Sequence, residues 1–267
     1  MIGSLRLFEE QNKIHSRGLD LRWFGQDKLE SLENKWRKIR VAESTFRLLQ
    51  AKKQKVKQLD SAQVNNAGIF GSILDGDAFK AVIASGATER GGVDLSKLVI
   101  ETYEFAEECL QINYYGAKRT AEALIPLLQL SDSPRIVNVS SGAGKLKNIP
   151  NDWAKGVFTD AENLTEERVD EVLTEFLKDF KEGSFESKGW PSSMPAYTVS
   201  KAALNAYTRI LAKKYLNFRI NSVCPGFVKT DINCNVGVLP VEEGGARIVK
   251  FALLPNDGPY WLLLCSQ

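Results

Sequence analysis

The chain has 267 residues and a mass of 29.7 kDa, enough for one large domain or two small ones around a substantial core. Its 43% hydrophobic and 25% charged residues exclude general disorder. The net charge of +2 is uneven, because residues 1–60 hold 14 Lys plus Arg against 8 Asp plus Glu and the remainder is acidic.

In that basic head the acids are interspersed and no RNA-binding or zinc-finger spacing occurs, so a solvated helical face is expected and no nucleic-acid partner. Its single histidine, His15, leaves no His-based triad or metal cluster. Within it, 19–24 alternates weakly as one short strand. From Asp27 onward, Leu29, Leu32, Trp36, Ile39, Phe46 and Leu49 recur at helical steps among many charges. The four cysteines, Cys109, Cys224, Cys234 and Cys265, give neither a disulfide framework nor a CxxC pair. No run has signal-peptide or membrane-spanning length, so a reduced, cytoplasmic protein without a membrane partner is expected.

After Val64 the chain reads as a Gly-punctuated loop with a short helix, as far as Gly92. Residues 98–130 then carry a long helical stripe of Tyr103, Ala106, Leu110, Tyr114, Ala117, Ala121 and Leu124. Ser133-Pro134 reads as a turn feeding a strand over 135–141. An insertion at about 145–192 lacks strands and holds a helix capped by Thr165, with Val169, Val172, Leu173, Phe176 and Leu177 inward. A helix over 197–215 and a strand over 219–224 follow. Helices alternating with buried strands imply an α/β fold with a mostly parallel sheet and helices on its faces.

Tyr197 and Lys201 lie four apart at a helix start, so their heads share one face. An ammonium beside a phenol favours the phenolate, which suits proton exchange with a carbonyl oxygen. Ser141 closes a strand at the carboxyl edge, where open α/β sheets present ligand-contacting groups. Asn113 interrupts a helix, where Asn competes with backbone bonding. Cys224-Pro225-Gly226-Phe227-Val228-Lys229-Thr230 breaks the chain sharply after a strand. Taken singly, each has an ordinary reading: a surface Lys, a capping Ser, a solvent-facing Asn, a simple turn.

Together, and in order, these stretches resemble the short-chain dehydrogenase/reductase family, nearest its plant carbonyl reductases. The resemblance runs over about 64–260. It is carried by Val64-Asn65-Asn66-Ala67-Gly68, Leu110-Gln111-Ile112-Asn113-Tyr114-Tyr115-Gly116, Ile136-Val137-Asn138-Val139-Ser140-Ser141-Gly142, Gly189-Trp190-Pro191-Ser192-Ser193, Ala196-Tyr197-Thr198-Val199-Ser200-Lys201, 221–230 and Ala252-Leu253-Leu254-Pro255. It implies NADP(H)-dependent reduction of a ketone or aldehyde on a small apolar metabolite. Tyr197 would be the proton donor, Lys201 would hold the nicotinamide ribose and lower the Tyr197 pKa, Ser141 would position the substrate oxygen, and Asn113 would retain a relay water. Asn65, Ala67 and Gly68 would lie beside the cofactor, and Pro225, Gly226, Val228 and Thr230 beside its carboxamide. The insertion implies a monomer.

Family members begin with a strand and T-G-x-x-x-G-x-G, whose glycines admit a diphosphate at a helix N-terminus. No such triplet stands in residues 1–64. Ser61 and Gln63 also occupy a segment that a parallel sheet would bury on both faces. The expected organisation is therefore an atypical, largely helical basic head over 1–60 and a catalytic portion over 61–267, making an incomplete Rossmann-like doubly wound sheet. Cofactor binding is expected to be weak or lost. Three accounts stay open: a truncated or mis-spliced reductase, a working reductase with an unrecognised diphosphate site, and a non-catalytic relative docking through its head.

Overall fold

The computed structural model describes residues 60–85, 99–254 and 263–265. The head over 1–59, with its expected helices and short strand, lies outside them. In chain order come β1 (Asp60–Asn65), β2 (Ile73–Leu74), α1 (Gly76–Ala84), β3 (Val99–Ile100), α2 (Tyr103–Leu110), a π-helical turn (Gln111–Gly116) and α3 (Ala117–Leu128). They are followed by β4 (Ser133–Val139), α4 (Asp152–Thr159), α5 (Glu166–Lys181), α6 (Pro195–Lys214), β5 (Arg219–Cys224), α7 (Val241–Ala252) and β6 (Leu263–Cys265).

Four of the strands form one parallel sheet in the order β1-β4-β5-β6, and β2 and β3 make a separate antiparallel pair. Side chains alternate across the sheet, so its two faces build two cores. Ile136 and Ile220 join a large cluster with α2, α3, α5 and α6. Val137, Val139 and Val223 face the other way, onto Phe251 of α7. Helices thus cover both faces, as the sequence pattern required.

The strand with the unpromising sequence does form. All six residues of β1 pair with β4, from Asp60↔Ser133 to Asn65↔Asn138. Its buried Gln63 is the head of a polar ladder rather than an isolated defect. Gln63 Nε2 donates to Asn65 Oδ1 at 2.8 Å, Asn65 Nδ2 to Asn138 Oδ1 at 2.7 Å, and Asn138 Nδ2 to Thr208 Oγ1 on α6 at 2.9 Å. Within this ladder, Gln63 Oε1 finds no partner among the described residues. Ser133 and Pro134 also belong to β4, not to a turn before it. Residues 99–100 are a strand, where helical periodicity led us to expect helix from 98.

The insertion is a packed subassembly. Asn151 caps α4 through Ala154 N at 2.8 Å, and Thr165 caps α5 through Arg168 N at 3.3 Å. Val169, Val172, Leu173 and Phe176 are buried from one stripe of α5, while its opposite face is charged. Lys118 of α3 reaches Glu166 at 3.0 Å and Asp170 at 3.2 Å, tying α5 to the rest. The return loop closes on Asp179, which is 1% exposed and accepts from Lys188 Nζ and Trp190 Nε1, both at 2.8 Å. Phe176 meets the Trp190 ring edge-on at 5.2 Å.

Helix α6 is the hub. Pro195 starts it, and Ala196, Ala202, Ala203, Ala206 and Ala212 are buried along it. Such small side chains let neighbouring backbone come close. The turn after β4 does so at Gly144, where an added Cβ would lie 2.6 Å from the Lys201 carbonyl carbon. Asn205 Nδ2 donates to Gly144 O at 3.0 Å, and Ser222 of β5 donates to Asn205 Oδ1 at 2.7 Å. Strand, turn and helix are thereby locked at the sheet's carboxyl edge. No helix among the described residues is long and apolar enough to cross a membrane.

Candidate active site

Three structures deliver side chains to that edge: the end of β1, the turn after β4, and the first turns of α6. The fourth contribution comes through the π turn, which interrupts α2 and α3 at Gln111–Gly116. A π turn admits one extra residue into a helix, and such turns are frequent at functional sites. Here it contains the buried Asn113, whose amide grips the backbone of Ile69. Asn113 Oδ1 accepts from Ile69 N at 2.8 Å and Nδ2 donates to Ile69 O at 2.9 Å.

Gly68, one residue earlier, lies over two of the expected site residues. A Cβ there would stand 3.2 Å from Asn113 Oδ1 and 3.3 Å from Lys201 Nζ. Lys201 is 4% exposed, donates to Val139 O at 3.0 Å, and has Nζ 5.5 Å from the centroid of the Tyr197 ring. Burial holds its pKa down at about 8. It is therefore mostly an ammonium at neutral pH, with little margin.

Ser141 lies near enough to the Tyr197 hydroxyl to act on its proton affinity. The Tyr197 pKa moves opposite to the sequence expectation. Burial raises it, and the neighbouring Ser141 hydroxyl opposes that rise without cancelling it. The phenol thus stays protonated at neutral pH. Ser141 itself caps the short turn Gly142–Gly144, accepting from Ala143 N at 3.2 Å. The capping and site readings of this serine coexist.

Asn113, Ser141, Tyr197, Lys201 and Gly68 are thus brought together. Asn65 is buried in the ladder, while Asn66 and Ala67 are exposed at the edge. The loop after β5 is largely self-satisfied. Pro225 O accepts from Arg247 Nη1 at 3.2 Å, Val228 N donates to Gly226 O at 3.1 Å, and Val228 O accepts from Asn233 Nδ2 at 2.8 Å. Gly226 has φ +94°, and a Cβ on it would lie 2.5 Å from Leu239 Cδ1. Thr230 caps 231–233, and its hydroxyl donates to Val228 O at 3.4 Å. Pro225, Gly226, Val228 and Thr230 therefore make a rigid wall with few free polar groups. Cys224, at its start, lies within electrostatic range of both Tyr197 and Lys201.

Several site groups escaped the sequence reading. Phe70 packs its ring 5.3 Å from that of Tyr197. Ser200 Oγ accepts from Asn113 Nδ2 at 3.0 Å, and Cys109 Sγ lies 3.2 Å from the same nitrogen. Gly144 fixes Ser141 against α6. Of these, only Gly144 left a usable signal, in Gly142-Ala143-Gly144 directly after the strand.

The comparisons agree with this geometry. Residues 183–246 match the family model described as enoyl-(acyl carrier protein) reductase. The (+)-neomenthol dehydrogenase of Arabidopsis thaliana is 60% identical over 194 residues, which cover 73% of this chain and 64% of that protein. The (-)-isopiperitenone reductase of Mentha piperita is 53% identical over 210 residues, covering 73% and 67%. The chain thus spans about two thirds of the length of these relatives. The solved structure of salutaridine reductase from Papaver somniferum superposes with a TM-score of 0.74 at 48% identity, over 83% of this chain and 78% of that one. The parallel sheet with helices on both faces is a partial Rossmann fold, and the chain belongs to the short-chain dehydrogenase/reductase family, of the plant type represented by these reductases.

Proposed function

We propose that the site reduces a ketone or aldehyde of a small apolar metabolite with NADPH. The observation that carries this reading is the meeting of Tyr197, Ser141, Lys201 and Asn113 at Gly68, on the carboxyl edge of a parallel sheet. The relatives' names, a neomenthol dehydrogenase, an isopiperitenone reductase and a salutaridine reductase, support a terpenoid-like or alkaloid-like substrate. The choice of NADPH follows the family resemblance.

The residues fit the nicotinamide-ribose half of such a cofactor. Gly68 leaves a side-chain-free patch bounded by Lys201 Nζ and Asn113 Oδ1, which a Cβ would fill. Lys201 and Tyr197 would hold the ribose, with Asn65, Ala67 and Gly68 alongside and Pro225, Gly226, Val228 and Thr230 walling the carboxamide. When bound, the cofactor supplies a hydride. Ser141 orients the substrate oxygen by its hydroxyl. Tyr197, protonated at neutral pH by its burial, donates the proton. The Lys201 ammonium lowers the cost of the phenolate left behind, and Asn113 retains a relay water.

The diphosphate half has no T-G-x-x-x-G-x-G in residues 1–64, so we infer weak dinucleotide affinity. NADPH titration by fluorescence tests this, and saturation at low micromolar concentration would overturn it. We infer also a monomer, supported by α5 lying against α2 and α6, and a cytoplasmic setting, supported by four scattered cysteines that suggest no disulfide framework; size-exclusion chromatography with light scattering checks the oligomeric state. For the reaction itself, Tyr197→Phe should lower NADPH-dependent carbonyl reduction by at least ~100-fold with an unchanged urea midpoint. Unchanged turnover would rule out the assigned proton donor.

A further inference from the structure

We propose that Ser200 is a positioning residue that sets the orientation of the Asn113 amide and, through it, the place of the loop Asn66–Phe70. The Asn113 side chain has one acceptor and two N–H donors. Its oxygen and one N–H grip the two backbone groups of Ile69. The second N–H points to Ser200 Oγ at 3.0 Å, with Cys109 Sγ as a longer alternative at 3.2 Å.

Ser200 is not free to face Asn113 either way. Its own proton goes to Tyr197 O at 2.8 Å, one turn back along α6, so the oxygen presents only lone pairs to Asn113. A flipped amide would set oxygen against those lone pairs and N–H against the Ile69 N–H. Asn113 and Ser200 are 1% and 0% exposed, so water cannot rescue the mismatch. One hydroxyl thus links the turn that carries Tyr197 and Lys201 to the loop that carries Gly68 and Phe70. The far end of that loop reports on its position. Gly71, at φ +77°, seals the buried Cys109, and a Cβ on it would lie 2.6 Å from Cys109 Cβ.

That seal supplies a readout independent of turnover. In the full chain, N-ethylmaleimide labelling of Cys109 is followed by peptide mass spectrometry in wild type, Ser200→Ala, Asn113→Asp and the double variant. Losing one net hydrogen bond should speed labelling about tenfold in Ser200→Ala. In the Asn113→Asp background, which lacks both amide N–H donors, Ser200→Ala should add almost nothing. Asp179→Ala, a destabilising change in the insertion, controls for global opening. Equal labelling in Ser200→Ala and wild type would overturn the proposal, as would an equal acceleration in Asp179→Ala or full additivity with Asn113→Asp.

A second arm rests on the proposed reductase activity and uses cyclohexanone and NADPH. Ser200→Ala should raise KM for NADPH about tenfold while the pH midpoint of kcat, set by Tyr197, stays in place. A wild type without turnover sinks the reductase reading and leaves the labelling arm to decide the proposal. A moved pH midpoint with unchanged KM would place Ser200 in the proton transfer itself and refute the positioning role.

Discussion

Replacing Asp179 by Ala should destabilise the protein by about 2 kcal/mol at pH 7 through the insertion alone. The carboxylate holds Trp190 Nε1 and Lys188 Nζ, each at 2.8 Å. Trp190 is 2% exposed, so its N–H would be stranded without an acceptor, at a cost of about 1–3 kcal/mol. The Lys188 side chain is 46% exposed and returns to water, so its ion pair adds less than about 1 kcal/mol. Removing a buried charge also removes its desolvation penalty, which offsets part of the loss. Burial alone would raise the Asp179 pKa, but the hydrogen bonds from Lys188 and Trp190 hold it below the ordinary 3.8. A depressed carboxyl contributes stability above the unfolded value that is lost as pH falls through the folded one. The difference between variant and wild type should therefore be full at pH 7 and shrink below about pH 4. Urea denaturation followed by tryptophan fluorescence and circular dichroism measures it. A difference under about 0.5 kcal/mol at pH 7, or one that persists undiminished in acid, would refute the reasoning.

Two glycines should respond in opposite senses to the same substitution. Gly144→Ala drives a methyl into the Lys201 backbone and should cost about 3 kcal/mol, whereas Gly156→Ala, at an exposed position of α4, meets nothing within 4 Å and should stabilise by about 0.5–1 kcal/mol; urea midpoints decide both. Glu101 has its pKa pushed up to about 7 by burial and by nearby Glu186. A raised carboxyl binds its proton more tightly when folded, so stability falls as pH rises from about 4.5 to 7. Glu101→Gln should accordingly stabilise by about 1 kcal/mol at pH 8, after discounting for its partial exposure, and have little effect at pH 4. A gain at pH 4 equal to that at pH 8 would contradict this.

Much of this arrangement was legible in the residues because it depends on local chemistry. Thr165 announces α5 by its own side chain, and 219–224, though half polar, is marked as strand by its place between α6 and the Pro225-Gly226 break. Tyr197 and Lys201 needed only helical spacing. What stayed hidden depends on partners distant in sequence. Gln63 looked like a fault in β1 because its partner Asn65 is satisfied in turn by Asn138 and Thr208, up to 145 positions away along the chain from the glutamine. The strand at 99–100 exists through its pairing with 73–74 and shows no alternation of its own. Pro134 can occupy a buried strand because it stands near its beginning, at a position where the missing N–H is tolerated. The direction of the Tyr197 shift was missed because the sequence brings an ammonium near the phenol and cannot show the burial that raises its pKa.

The extra residue housed between Gln111 and Gly116 also has a bearing on how this chain can change. Because the π turn already holds one residue more than a regular helix, a further residue added in the run 103–128 would turn every later side chain about 100° around the axis. Lys118 would swing away from Glu166 and Asp170, and Ala121, Ile125 and Leu128 would leave the interior. A second added residue here has no turn left to house it.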